Sequence, residues 1–597
     1  MDIATRVREA SRETIERIYQ VNLSTDAVQV NETKPEFEGD YTVVLFPFVK
    51  MLKKSPEELG NEMGKELLSH YPSLFSKFNV IKGFLNLTIS DAVWIEFLTG
   101  QRSNPSYGVS PRNGRKVMVE YSSPNTNKPL HLGHLRNNFL GWTVASIYKI
   151  NGFDTVKSCI ANDRGIHICK SMIAWQLYAN GATPESTGIK GDHLVGDYYV
   201  LFGEECKKQV AILKANGMSE EAAEKEAPLM RGAQQMLVDW EAGKPDVIEL
   251  WKKMNSWVYK GFEETYRRIG SDFDKIYYES ETYLLGKDLV EYGLKKNVFF
   301  RKDDGSVWID LTADGLDEKI VQRRDGTAVY ITQDIGLVAK RFEDFHCELS
   351  VYTVADEQNY HFKVLQLIAQ KLDLPAADGL FHLSYGLVEL PTGRMKTREG
   401  TVVDADDLID EMIGIARQHT EALGKVQDFS QAELDELYNT IGLGALKFYL
   451  IRVDPKKKMI FNPEESIDFH GFTGPFIQYT HARIKSILRK ESPSSNEILS
   501  PIQVASLPLL PLEKAVIIQL EKYPSVLIQA LTELNPSLIA IYVFGLAKIF
   551  NSFYTEHSVS KAESSDKKEL RLGICALTAT VIKSAMALLG IKVPERM

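Results

Sequence analysis

Apolar and polar positions alternate with two different periods along this chain. From residue 1 to about 90, helix-spaced apolar residues are interrupted by short alternating runs, YTVVLF (41–46) and GFLNLTIS (83–90), which predicts a small α+β domain. QRSNPSYGVSPRNGR (101–115) has no period and is rich in Gly, Pro and Ser, so it reads as a linker. KVMVEY (116–121) then reads as a buried strand, SSPNTNKPLHLGH as a loop, LRNNFLGWTVASIYKING as an amphipathic helix and TVKSCIA (155–161) as the next strand. Strand, loop, helix and strand within about 45 residues make a βαβ unit, and therefore a parallel sheet. Residues from about 185 to 275 are charged and helical in pattern, predicting a helical insertion. Strand patterning resumes at AVYIT (328–332), LSVYTVA (349–355) and LFHLSYGLVEL (380–390), which are expected to complete the sheet. From about 405 onward nearly every segment has helical spacing, with a polar break at KESPSSNEILSP (490–501).

The expected organisation is an α+β unit over 1–100, an α/β core over 101–400, connecting helices over 401–465 and an all-α unit over 466–597. Composition adds only exclusions. Acidic residues (80) exceed basic ones (70), a net charge of −10, which argues against a wholly basic nucleic-acid coat but permits a local basic face. The five cysteines, at 159, 169, 206, 347 and 575, contain no C-x-x-C pair, so neither a disulfide framework nor a cysteine-rich zinc site is expected. The first residues mix acids with arginines and fit no secretory or transit peptide. LIAIYVFGLAKIF (538–550) is short for a membrane span and carries Lys548. A reducing cytoplasm, with no membrane, is the expectation.

In an open parallel sheet, ligands sit beyond the carboxyl ends of strands. The turn after KVMVEY holds Pro124 and Pro129, which stiffen it, then His131-Leu132-Gly133-His134 at the helix entrance. Gly133 lets a flat base or sugar approach the backbone closely. Two ring N–H groups, free backbone N–H groups and the helix dipole suit a phosphate, and Lys128 adds a fixed charge. Taken alone, H-x-x-H reads better as a helix cap or packing pair. As a zinc pair it lacks the i, i+4 spacing and a third ligand.

VEYSSPNTNKPLHLGHLRNN resembles the "HIGH" signature region of class I aminoacyl-tRNA synthetases, specifically that of the arginyl-tRNA synthetase family. The Ser-Pro-Asn lead-in and the Lys-Pro pair are more specific than the four-residue motif, and the similarity extends across nearly the whole chain. The resemblance implies a Rossmann-type parallel-sheet core, an N-terminal add-on domain contacting the tRNA elbow and a C-terminal all-α anticodon-binding domain. It implies activation of L-arginine by ATP with a magnesium ion (Mg2+) to arginyl-adenylate. Arginine then passes to the 3' end of tRNA(Arg), releasing AMP and pyrophosphate. Adenylate formation would itself require bound tRNA, with no covalent enzyme intermediate, no structural zinc and a monomeric enzyme.

The same resemblance assigns residues. Pro124, Lys128, His131, Leu132, Gly133 and His134 bind ATP together with Arg394, Met395, Lys396 and Arg398 of GRMKTREG (393–400), the counterpart of the K-M-S-K-S loop. Thr397 stands where the second signature lysine belongs, and in this family the lysine upstream of the first signature compensates, here Lys128. Lys128, His131, Gly133, His134 and Lys396 are thus the expected catalytic set, meeting the charge that builds when a carboxylate attacks the α-phosphate. Glu120, Ser123 and Asn125 map onto positions gripping the substrate's amino and carboxyl groups, Tyr330 and Asp334 onto those holding the guanidinium. Gln358 maps onto a further substrate contact, and Asn162 and Asp163 onto the site lining. Read singly, Tyr330 is a sheet-core aromatic and Asp334 a helix cap. GFTGPFIQYTHARIKSILRK (471–490) resembles the start of the anticodon-binding domain, where Arg483, Lys485, Arg489 and Lys490 would track phosphates and Tyr479 would stack on a base. Tyr542 is a second expected base contact, and Met597 would touch the anticodon loop. Two rivals are a class I synthetase for another amino acid and a catalytically silent tRNA-binding paralogue.

Overall fold

The computed structural model describes residues 2–389, 391, 403–422, 424, 428–491 and 507–597. Arg394, Met395, Lys396, Thr397 and Arg398 lie outside the described residues, as does most of the polar break at 490–501.

Near the N-terminus, helices Ile3–Tyr19 and Pro56–His70 pack beside an antiparallel sheet of Val30–Glu32, Tyr41–Val44, Phe84–Ile89 and Phe75–Ile81, in that order. The run YTVVLF is strand only to Val44, because Pro47 in the first turn starts a short helix, Phe46–Leu52.

The core sheet has five strands, β1 (Lys116–Glu120), β2 (Asp154–Ala161), β3 (Lys275–Tyr278), β4 (Leu349–Ala355) and β5 (Leu380–Tyr385). Their order is β5-β4-β1-β2-β3, and every neighbouring pair is parallel. Val117, Met118 and Val119 are all buried, the continuous apolar run that a strand covered on both faces requires. Helix α1 (Leu132–Ile150) crosses from β1 to β2. It lies close on the sheet because Gly141 leaves room for Tyr121, with which any Cβ there would collide. Between β2 and β3 sit the insertion helices, including α2 (Gly191–Ala215) and α3 (Pro245–Ile269). The chain proceeds outward from β1 through β2 to β3, then returns to β4 and β5 on the other side. The order therefore reverses between β1 and β4, and there a crevice opens at the carboxyl edge.

AVYIT is not a strand. Val329 is the N-cap of helix α4 (Tyr330–Phe345), and Tyr330, Ile331 and Thr332 form its first turn. Ile331, Ile335 and Val338 bury a single helix face, so the 3.6-residue period prevails over a short alternation that fits both. LFHLSYGLVEL also divides: β5 ends at Tyr385, and Val388–Glu389 pairs instead with Met459–Ile460, outside the main sheet.

The later helices include α5 (Ala405–Ala422), α6 (Gln431–Ile451), α7 (Gly474–Glu491), α8 (Ser537–Glu556) and α9 (Ser565–Leu588). Ser430 and Glu433 form a reciprocal capping box that starts α6. α8, at 20 residues, is longer than the apolar run suggested, and by length and composition both α8 and α9 are capable of crossing a bilayer. Here they pack in the bundle, burying Val543, Leu546 and Phe550 of one and Ile574, Leu577 and Val581 of the other.

Candidate active site at the sheet switch point

His131 takes an extended backbone and caps α1. Its Nδ1 accepts the Gly133 N–H at 3.1 Å, while His134 Nδ1 accepts the His131 N–H at 3.2 Å. The rings lie 3.9 Å apart, centroid to centroid. Because each Nδ1 is an acceptor, each neutral ring carries its proton on Nε2 and offers one donor. Burial, reinforced by the Lys128 charge, pushes the His131 pKa down to about 3. Burial, then His131 and Lys128, hold His134 well below the usual histidine range. Both are therefore neutral donors at physiological pH. The expectation of free backbone N–H groups at the helix entrance is corrected, since those of His131 and Gly133 are taken by the capping rings and that of Leu132 by Val403 O. Gly133 matters for a further reason: a Cβ there would lie 3.0 Å from His131 Cε1 and displace the ring.

Lys128 forms no ion pair among the described residues, and burial lowers its pKa. It lines a cavity of about 250 Å³ with His131, His193, Tyr199 and Asp404. Leu132 N–H donates to Val403 O at 3.1 Å, and Ala405 N–H donates to Leu130 O at 3.0 Å. These bonds bring the chain that follows the second signature against the first.

The end of β1 is strained. Ser122 and Ser123 have φ of 76° and 47°, left-handed values that side-chain-bearing residues rarely adopt. Side-chain bonds impose them: Asn137 Oδ1 accepts the Ser122 N–H at 2.5 Å, Asn138 Nδ2 donates to Ser122 Oγ at 3.1 Å, and Asn162 Nδ2 donates to Ser123 O at 3.2 Å. Strain over-determined in this way gathers at functional sites. Arg136, fully buried, fastens the same helix by donating to Gly386 O at 2.7 Å and Lys457 O at 2.9 Å.

Ser123 and Asn125 stand beyond β1, and Gln358 is exposed in the turn Asp356–Gln358 beyond β4, so the strand order brings them to opposite sides of the crevice. Glu120 is only 7% exposed, and its carboxylate is engaged by buried Arg341. Tyr330 is 75% exposed rather than a core aromatic. Asp334, one turn along α4, does not cap the helix; its Oδ2 lies 2.7 Å from His361 Nε2. The structure adds Glu279, which directly follows β3. Burial pushes its carboxyl up to about 7, opposed by Arg164 and reinforced by the negative Asp163 and Asp334. An acid one residue past a parallel strand is a readable signal, but KIYY (275–278) is too short to stand out as a strand.

Asp163 is corrected from site lining to brace. It is 1% exposed and accepts from Ser280 N–H at 2.8 Å, Ser280 Oγ at 2.7 Å and Tyr259 OH at 2.8 Å, which holds the turn carrying Glu279. Tyr542 is likewise corrected. It is 5% exposed, its hydroxyl donates to Gln519 O at 2.8 Å and its ring stacks on Tyr523, so no face is open to a base. Tyr542→Ala is accordingly expected to destabilise the protein by about 3–5 kcal/mol, the range of large aromatic core truncations, in denaturant titrations. Arg483 lies over the Tyr479 ring at 4.8 Å and donates to Asn551 Oδ1 at 2.7 Å; Met597 packs, half-buried, against the bundle.

The parallel sheet with its switch-point crevice and the histidine pair at the start of α1 is the core of a class I aminoacyl-tRNA synthetase: residues 101–462 match the family model described as "tRNA synthetases class I (R), catalytic domain". Residues 3–89 match the arginyl tRNA synthetase N terminal domain, and 477–597 the DALR anticodon binding domain. The chain belongs to the arginyl-tRNA synthetase family. It is 51% identical over 586 residues to the arginine–tRNA ligase of Parabacteroides distasonis, covering 98% of each chain. It is 52% identical over 585 residues to that of Bacteroides fragilis, again covering 98% of each. The fold is similar to that of the arginyl-tRNA synthetase of Thermus thermophilus, with a TM-score of 0.77 at 23% identity over 100% of both chains.

Proposed function

We propose that this chain is an arginine–tRNA ligase whose chemistry takes place at the β1/β4 switch point. The observation that carries the reading is Asp334, one turn along α4 from exposed Tyr330, with the buried carboxyl of Glu279 close enough for the Asp334 charge to help raise it. Two carboxylates held near each other suit a permanently charged, bidentate guanidinium. The guanidinium takes Asp334 over from His361, and its charge draws Glu279 into the ionised state. Ser123, Asn125 and Gln358 orient the amino and carboxyl groups. The carboxylate oxygen attacks the α-phosphate of ATP, and the bond to pyrophosphate breaks. His131 and His134 donate from Nε2 to the phosphates, and Lys128 supplies fixed charge, with Arg394, Lys396 and Arg398 of the second signature as further cations. A magnesium ion carried by the nucleotide would neutralise part of the phosphate charge. A ribose hydroxyl at the tRNA 3' end then attacks the adenylate carbonyl, and AMP leaves. All five cysteines are free and buried, in keeping with a cytoplasmic setting and a mechanism without a thiol nucleophile. Asp192, His193 and Asp406 lie close enough to group like metal ligands, and the Lys190 ammonium sits 3.0 Å from Asp192 and 2.7 Å from Asp406, which ties the cluster into an ion-pair network. The enzyme acts as a monomer, with Tyr479, Arg483 and Met597 on the tRNA side.

Arginine-dependent ATP–pyrophosphate exchange, run with and without tRNA(Arg), tests the reading. Exchange is expected in the presence of tRNA; none with cognate tRNA present would overturn it. A pH dependence follows from Glu279. The free enzyme's carboxyl titrates at about 7, and only the ionised form attracts guanidinium, so kcat/KM for arginine should rise as pH rises through that value. Glu279→Gln should flatten this limb and raise the arginine KM about ten-fold or more, with little change in the KM for ATP.

A further inference from the structure

Roughly three turns along α1 from the signature histidines, a cavity of about 860 Å³ lies at the seam between the core and the C-terminal bundle. Its volume falls in the range of small-molecule sites. Trp142 of α1, Arg267 and Arg268 at the end of α3, Lys447 of α6, Lys583 of α9 and Lys592 of the tail line it. Lys447 is 7% exposed. Its Nζ donates to Gly590 O at 2.6 Å and lies 5.5 Å from the centre of the Phe139 ring. An ammonium has three N–H donors, so one acceptor leaves two without a strong partner.

The other cations on the wall each have a carboxylate: Arg267 with Glu263 at 3.1 Å, Arg268 with Asp406 at 3.0 Å, Lys583 with Glu595 at 3.8 Å and Lys592 with Glu436 at 3.6 Å. Lys447 has none among the described residues. A buried cation without a counter-ion is destabilising, and an anion in the cavity would relieve it. We propose that this cavity is an anion site in which Lys447 takes a phosphate group, supplied either by the backbone of bound tRNA or by a free phosphate compound. The tRNA source rests on the ligase reading above.

The site is linked to protons. Burial, with help from Lys592, pushes Lys447 down to about 8. Asp435 and Glu436 on its own helix, Arg267 and Arg268 on α3, Lys583 on α9 and Lys592 on the tail are the other charges facing the cavity. Only the ammonium attracts phosphate, so affinity falls as pH rises through that value.

The test uses the full-length enzyme with Lys447→Met, which removes the charge at similar volume, and Lys447→Arg, which keeps it. In the first arm, the Kd for tRNA(Arg) is measured across potassium chloride concentrations. Loss of one phosphate contact lowers the log–log salt slope by about one unit, and Lys447→Arg should restore it. In the second arm, calorimetry with inorganic phosphate at pH 7 should show saturable binding in wild type and Lys447→Arg that Lys447→Met loses; binding at the ATP site is common to all three. A change in the first arm alone identifies the tRNA backbone as the source, and a change in the second alone identifies a free phosphate compound. Unchanged slopes together with unchanged phosphate binding overturn the proposal. If Lys447→Met does not fold, the wild-type enzyme decides: affinities for tRNA and phosphate that are both flat between pH 7 and 9 overturn it as well. Pyrophosphate exchange at saturating tRNA should persist in Lys447→Met, which separates this site from the arginine and ATP sites.

Discussion

Lys128→Ala is expected to lower kcat about 10²–10³-fold, with little change in the KM for ATP. That pattern marks an interaction made mainly in the transition state. The sequence supplies half of the reason: Thr397 stands where the second signature loop has its second lysine. The structure supplies the other half. Lys128 stands beside two histidines that burial keeps neutral, so they donate hydrogen bonds but bring no net charge to the phosphates. Its own charge forms no ion pair among the described residues, so it is not already committed to a carboxylate. Thr397→Lys in the Lys128→Ala background should recover part of the rate, because both charges would serve the same phosphates. Lys396→Ala is the milder control. A crippled Lys396→Ala beside a nearly normal Lys128→Ala would move the charge to the second signature and defeat the compensation idea.

Asp334→Asn is expected to damage arginine use far more than ATP use, by roughly 2–5 kcal/mol in kcat/KM for arginine, the consequence of removing one partner from a desolvated charge pair. The substitution keeps the shape of the side chain and leaves His361 a hydrogen-bonding partner. A packing defect is therefore not the expected cause of any loss. Steady-state kinetics with arginine and ATP varied separately measure the split. An unchanged KM and kcat for arginine would leave Asp334 a partner of His361 alone, and the guanidinium would have to be sought at Glu279.

Much of this site is local in origin, which is why it is legible before folding. The βαβ unit reads directly from KVMVEY, the helix after it and TVKSCIA, because a strand covered on both faces must be apolar throughout and a helix facing a sheet must repeat every three to four residues. The histidine pair caps a helix that begins within the same few residues, and so it is visible as a motif. The alternation in AVYIT misleads because five residues fit either period; packing of Ile331, Ile335 and Val338 into one cluster decides for helix, and this places Tyr330 and Asp334 one turn apart on α4. Tyr542 is similarly ambiguous: helical spacing cannot tell a ring that meets RNA from one that meets Tyr523.

Sequence alone determined the parallel-sheet class of the core and the position of the turn that carries the histidine pair, because strand periodicity and helix capping act between near neighbours along the chain, while the family followed from the resemblance of VEYSSPNTNKPLHLGHLRNN. Only the tertiary structure decided that Glu279 is buried near the charge of Asp334, that Asp163 braces rather than binds, and that Lys447 is left as a buried charge at a domain seam. Each of these depends on which distant groups are brought close and on how much water burial removes. Those two quantities set the charge state of Glu279, His131 and Lys447, and neither is encoded in the residues immediately beside them.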